Sequence, residues 1–544
     1  MIYVLTDKAP LMHHPVSHHT SPEQEGALKE FLNKYDANIA GTLTCFDRII
    51  FKGHLPISWP EGMESFLRRE KVLIKDFKSY VTKISERVKD HARQMAEDAE
   101  RPYIHLRRQT DKEADARAMA ERDGITEGLV CVYTRVEQAQ SFKLQVGKGR
   151  PRLRCAQPRC LCIYFYIIDP AFGLIHIRLQ TWFPFTIQVY LNGHDWLARQ
   201  LQRKNIEFEL IENAFVACAD WEKAQRVANS FAGLNWSFRL ERMARQVNPL
   251  MKDLLKGMRH RWSIEQAEHA TDVVFTNIRL LARLYPQLVE HATLRWGSAD
   301  VLGFLGRKLD GRFTGECRSS AKRTWRANPR LQGVRVKHWV NRNAIKMYNK
   351  QPTLLRIETV INRPYEFKVR RPGIKKGEPV VDWFRMSKSV RYLPRYAEVA
   401  LQANSRYLQG LSVVEDLSGF VQTIDSICEP AVRQSRRAPA LNPLRKREVA
   451  LFAAVLRGEH TLHGFTSRQL LHAAGIRPPA CPVKRRRLSS KVYRRLNTLR
   501  VHGLLAKIPR SRRWRVTKRG HALMSAALKL KTHELPTQLL ALAA

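Results

Sequence analysis

Negative charge is what this sequence has least of. Fifty Asp and Glu stand against 94 Lys and Arg over 544 residues, a formal net charge of +44. A compact state with that balance repels itself, and a polyanion is the partner that relieves the repulsion. Nucleic acid fits best, because Lys and Arg release the counterions condensed on its phosphates. Long apolar runs are missing too: no stretch of eighteen uncharged apolar residues occurs, so no spanning helix and no membrane partner is expected. Cysteine is scarce and odd in number, nine residues scattered from Cys45 to Cys481, which excludes a disulfide scaffold and points to the reducing cytoplasm. Met1 to Thr20 holds one Lys and four His, with no apolar core before a small-residue cleavage site, so no secretory signal is expected. A phosphate-binding P-loop and a dinucleotide glycine fingerprint are absent as well.

What is present is an ordinary apolar fraction of 44%, enough for sizeable cores in a chain of roughly three or four domains. The expected fold class is α+β and multidomain, with a mixed sheet and helices in the body and a helical module at the C-terminus. The expected divisions are a disordered tail over 1–24, an α+β body over 25–306, a basic hairpin and helical region over 307–428, a linker over 429–441, a DNA-binding domain over 442–530, and a tail over 531–544. Within the body, helical periodicity runs from Glu61 to about Asp123, and strands are expected at Leu129–Val136, Cys162–Ile168, Leu174–Gln180 and Thr186–Tyr190. Gly147 to Arg159 reads as an exposed loop, and Asn235 to Tyr285 as mostly helix. The segment Arg307 to Lys350 has thirteen Lys or Arg against two acids, and contains strands at Val334–Val340 and Ile345–Tyr348 before a third at Leu354–Ile361. Its Lys337, Arg342, Lys346 and Lys350 are candidate nucleic-acid contacts.

The C-terminal stretch is the most specific. Arg445–Arg457 is expected to be a helix. Thr466–Ser467 caps a second over Arg468–Ala474, a proline-rich loop follows, and Ser489 or Ser490 caps a third over Lys491–His502. Leu504–Ile508 and Trp514–Val516 are strands around a basic turn, and Thr517 caps a last helix. From Ala431 onward, 26 Lys or Arg face three acids, about half of the total charge in about a fifth of the chain. That order, and the phrase VHGLLAKIPRSRRWRVTKRG, resembles the winged helix-turn-helix domains of MarR-like regulators. The resemblance implies a third helix in the major groove and a wing on the backbone. It makes Arg485, Arg486, Arg487, Lys491, Arg494 and Arg495 contacts from the helix. Arg510, Arg512, Arg513, Arg515, Lys518 and Arg519 would act from the wing and the helix after it. Double-stranded DNA is the expected partner, with RNA as an alternative.

Two constellations in the body suggest chemistry. IKMYNK opposite LLRIE is similar to strand pairs of rolling-circle replication initiators, where a tyrosine attacks a DNA phosphate. That implies Tyr348 as nucleophile and Glu358 as metal ligand, but the histidine pair of that family is missing, the nearest element being His176-Ile177-Arg178. The alternative is a carboxylate trio, Asp47, Asp169 and Glu358, whose layout resembles ribonuclease H-like transposases. Converging carboxylates hold the ions that stabilise attacking and leaving oxygens. Either site would take Mg²⁺ or Mn²⁺. The plain alternatives are a turn-capping Asp169, an Asp47 paired with a basic residue, and a hairpin that only packs. The expected function is therefore a transposase-like or initiator-like DNA-binding protein of a mobile element or replication system. A non-enzymatic winged-helix regulator is the alternative.

Overall fold

The computed structural model describes residues 30–108, 110–145, 151–307, 313–323, 334–375, 377–414, 427–433, 436–460, 464–509 and 511–534. The tail expected over 1–24 and Arg510 lie outside these residues. The strands are β1 (Ile39–His54), β2 (Tyr103–His105), β3 (Gly128–Gln138), β4 (Ser141–Gln145), β5 (Arg152–Ala156), β6 (Arg159–Asp169), β7 (Gly173–Gln180), β8 (Ile187–Asn192), β9 (Phe208–Ile211), β10 (Ala214–Cys218), β11 (Arg261–Phe275), β12 (Cys317–Arg323), β13 (Val334–Val340), β14 (Asn343–Lys350), β15 (Leu354–Ile361), β16 (Lys368–Lys375), β17 (Glu378–Arg385), β18 (Ala431–Arg433), β19 (Arg436–Ala438), β20 (Leu505–Lys507) and β21 (Trp514–Val516).

Eleven of them form one mixed sheet in the order β12-β13-β14-β15-β11-β1-β8-β7-β6-β3-β2, antiparallel throughout except for the parallel pair β2 and β3. The fold is α+β, and the boundary expected at 306/307 falls inside this sheet, because β11 pairs with β15. The helical reading of Asn235–Tyr285 is corrected: helix Trp236–Val247 is followed by fifteen residues of β11 at the sheet's centre. The run Glu265 to Ala270 is rich in helix formers, and pairing with β1 and β15 overrides that local preference. The loop expected over Gly147–Arg159 contains β5, which pairs with β4.

Period-two alternation gives the sheet two unlike faces. One presents Val132, Ile163, Phe165, Ile175, Ile177, Val189, Ile264, Val273 and Ile345 to a single large core. Helices Phe77–Asp98, Trp236–Val247, Ile278–Leu294 and Leu393–Leu411 contribute to that core. Asn404 of the last helix ties it down by bonding Thr359, Thr271 and the His269 carbonyl. The other face is polar along much of its length. Helix Lys112–Arg122 covers its β3–β6 side, where Ala116, Met119 and Ala120 meet Tyr133, Tyr164 and Tyr166.

The C-terminal residues have a separate core built on Phe452, Leu470, Leu496, Leu499, Trp514 and Met524. Helices Lys446–Val455, Ser467–Ala473, Pro482–Val501 and Lys518–Lys529 surround the short hairpin β20–β21. Thr466 caps its helix in a reciprocal box with Gln469, and Thr517 accepts from the Gly520 amide. The third helix begins at Pro482, nine residues before the expected start: proline at the first helical position has its φ preset and needs no amide partner. The expected linker is also corrected. It contains the paired strands β18 and β19, and Pro439 accepts a bond from His502 of the module.

Candidate functional site

The polar face is densest where β1, β11, β15 and β14 lie side by side. Register places Tyr348, Arg356 and Asp272 in one row, and Lys346, Glu358 and Ala270 in the next. Glu268 follows on β11. On β1 a bulge between Phe46 and Ile49 sets two residues, Asp47 and Arg48, against Glu268 alone. The extra residue changes the parity of the strand, so Asp47 ends the outward series before the bulge and Arg48 begins the one after it. Gly193 fits against this bulge, where a Cβ would stand 2.2 Å from the Phe46 carbonyl oxygen. Asn192 caps helix Gly193–Arg203 there and so delivers His194 to the cluster.

Arg356 is fully buried and organises half of the network. Its Nε and Nη2 donate to the two oxygens of Asp272 at 2.6 Å each, a bidentate pair. Nη1 reaches Asp47 at 3.4 Å, and Nη2 donates to the Asn213 carbonyl at 2.8 Å. Asn213, in the turn between β9 and β10, also donates its amide to Asp47 at 2.8 Å. Burial favours a neutral Asp47, but His194, Arg356 and Lys350 outweigh it and keep the carboxylate ionised. Burial likewise works against charge on His194, yet Cys45, Asp272 and Asp47 hold its pKa well above the ordinary histidine value.

The other half is acidic. Ligand atoms of Asp47, Glu268 and Glu358 lie within 4.8 Å of one another, a spacing that one cation can span. Burial, and then the Glu358 charge, push Glu268 up to about 7. Lys346 sits between the two glutamates, 2.5 Å from Glu358 and 3.2 Å from Glu268. Tyr348 donates its hydroxyl to Glu358 at 2.8 Å. Burial and that carboxylate raise the Tyr348 pKa well above 10, opposite to what a phenolate nucleophile needs.

Asp47, Glu358 and Tyr348, candidates from the two alternative sites, lie together in this cluster, but Asp169 does not. It ends β6, three strands from β1 and therefore about 14 Å away. Its carboxylate accepts the amides of Ala171 and Phe172, which is the turn-capping role. Glu268 takes its place beside Asp47 and Glu358. The element nearest to the initiators' missing histidine pair is also distant: His176 lies on β7, five strands from Tyr348 on β14, roughly 24 Å off. Lys346 and Lys350 are not free phosphate ligands. Lys346 bridges carboxylates, and Lys350 is 8% exposed, faces Glu212 at 3.8 Å and is pulled down to about 8 by burial and Arg356. Lys337 packs over the Trp339 ring, while Arg342 is exposed at the β13–β14 turn. Glu268, Asp272, His194 and Asn213 escaped sequence reading. The spacing of Glu268, Ala270 and Asp272 puts them on one face only once the segment is known to be a strand.

In the C-terminal module, no residue from Pro482 to Arg495 of the third helix is buried, and the core begins at Leu496. Arg486, Arg487, Lys491 and Arg494 are exposed on it. Arg485 bends back to the Pro479 and Ala480 carbonyls, and Arg495 pairs with buried Glu448 at 3.1 Å, so Arg495 is structural. The far end of the helix and the β20–β21 turn enclose an open groove of about 630 Å³ lined by Arg500, Lys507 and Arg512. Arg513 donates to the Gly464 carbonyl, and Arg515, Lys518 and Arg519 are exposed beyond it. No protein-family model matches this chain, and neither a curated protein nor a solved structure matches it.

Proposed function

We propose that this chain is a DNA-binding protein of a mobile element or replication system. A C-terminal winged helix-turn-helix, MarR-like in its order of elements, holds the duplex, and the body cleaves or transfers a strand with the help of a divalent metal. The observation that carries the reading is the helix Pro482–Val501. Its first ten residues stand clear of the core and carry five Lys or Arg with no acid, and Arg494 is exposed further along. A helix built only for packing has no use for such a projection, whereas a helix that enters the major groove presents its N-terminal part to the bases. The exposed β20–β21 turn with Arg512 and Arg515 supplies a wing.

For chemistry, the support is the convergence of Asp47, Glu268 and Glu358. These residues fit Mg²⁺ or Mn²⁺ as all-oxygen ligands, and the ion would polarise a phosphate oxygen or a water. Binding must displace the Glu268 proton and Lys346, so metal affinity is expected to rise with pH through about 7. The Lys346 ammonium between the glutamates favours a second reading: it already neutralises them, which suits a non-enzymatic regulator whose body is held by a buried ion-pair network.

The test uses the full chain and labelled DNA. Arg486→Ala with Arg494→Ala is expected to lower the slope of log affinity against log salt by about 2, near 0.9 per phosphate contact. An unchanged slope overturns the helix assignment. With Mg²⁺ or Mn²⁺, nicking is expected in the wild type and not in Glu358→Gln; absence of nicking in both selects the regulator.

A further inference from the structure

The remaining part of the polar face contains a cavity of about 430 Å³ that the acidic cluster does not use. Register builds it. Lys52 of β1, Gln188 of β8, Arg178 of β7 and Tyr164 of β6 stand directly opposite one another across four neighbouring strands. Ile50, Tyr190, His176 and Tyr166 form the adjacent row. Gln180 and Thr186 close one end.

The wall is chemically incomplete in two independent ways. The Lys52 ammonium makes no hydrogen bond or ion pair among the described residues. Burial lowers its pKa, the Glu265 carboxylate, itself paired with Lys388 at 3.3 Å, raises it, and Arg178 and Lys388 lower it further. The one carboxylate on the wall, Glu137, is not available to it, because Arg178 at 3.1 Å and the Tyr164 hydroxyl at 2.7 Å already engage it. Second, three buried polar atoms of lining residues have no partner: His176 Nδ1, Gln180 Oε1 and Thr186 Oγ1. A buried polar atom left unpaired costs about 1–3 kcal/mol, and turning these three side chains toward the cavity would let a bound polar group pair with them. Glutamines dominate the rest of the lining, at 138, 140, 157, 180 and 188. A primary amide both donates and accepts, which is the complement of a nucleobase edge.

We propose that this cavity binds one nucleotide, its phosphate on Lys52 and the edge of its base among the glutamines. The same chemistry is offered by a free nucleoside monophosphate and by an unpaired residue of a bound strand. On β1, Lys52 is four residues from Arg48, about 13 Å, so a strand seated in the cavity continues toward Asp47 and Glu268. The strand form of the proposal rests on the nucleic-acid reading above; the free-nucleotide form does not.

Titration of the full-length protein with the four nucleoside 5′-monophosphates, and separately with twelve-residue single strands of dT and of rU, separates the two sources. Lys52→Met and Gln188→Ala are each expected to weaken the bound probe at least tenfold, while duplex binding keeps its salt slope. Thr186→Val replaces an unpartnered hydroxyl by an isosteric methyl. It is expected to raise the melting temperature and to weaken the probe in the same protein. Higher melting temperature with unchanged affinity overturns the proposal, as does binding by Lys52→Met equal to wild type, or no binding of any probe by the wild type. Loss of duplex binding as the only failure counts against the winged-helix reading and leaves the cavity assignment standing in its free-nucleotide form.

Discussion

Arg356 holds two carboxylates and a carbonyl at once, with His194 beside both carboxylates and Asn213 donating to Asp47. Replacing it with Met leaves Asp272 and Asp47 ionised without their guanidinium. The expected loss is about 3–5 kcal/mol, read as a lower urea midpoint. Arg356→Lys is expected to recover only part of it, because a point charge cannot span both oxygens of Asp272. Glu268 gives the network a pH dependence of definite sign. Its pKa stands at about 7, above the ordinary 4.5. A raised carboxyl stabilises the fold while protonated, so its contribution is complete below about 4.5 and is lost as pH rises through about 7. Urea midpoints of Glu268→Gln should therefore vary less than wild type between about pH 5 and 8. A wild-type slope in that variant would assign the titration elsewhere.

At the scale of elements, the box between Thr466 and Gln469 starts the second helix of the module. Thr466→Ala removes one side of it and is expected to cost about 1 kcal/mol, visible as earlier loss of the C-terminal transition with the body unchanged. This cap was legible in the sequence, as were β7, β13, β15 and β21, because Thr before an apolar run, strict alternation and a turn are local signals. β11 was not. Its Glu265, Gln266, Glu268, His269 and Asp272 carry no strand propensity, and only two long partners make them a strand. That one element hid half of the acidic cluster. The start of helix Pro482–Val501 is hidden for a different reason: the prolines at 478, 479 and 482 signal a break, although the last of them opens the helix.

At the scale of the whole molecule, the two largest cores among the described residues share the charge unequally. The sheet core ends with the Leu393–Leu411 helix, and the module has its own. They touch at Gly458, whose amide donates to the Arg295 carbonyl at 3.1 Å. Phe452→Ala should lower the module's transition by about 3–5 kcal/mol and leave the transition of the sheet in place. A single transition shifted as a unit would show that the Gly458 contact makes the two cores one. The bulge at Asp47 and Arg48 matters over the same range. From Gly41 to the bulge, odd-numbered residues of β1 face the polar side; downstream, even-numbered ones do. Deleting one residue there would exchange inside for outside along the rest of the strand: Ile49 and Phe51 would turn to the polar face, and Ile50 and Lys52 into the core. The central strand therefore has a reading frame, and losing a single position from it is predicted to harm the protein more than any substitution within it.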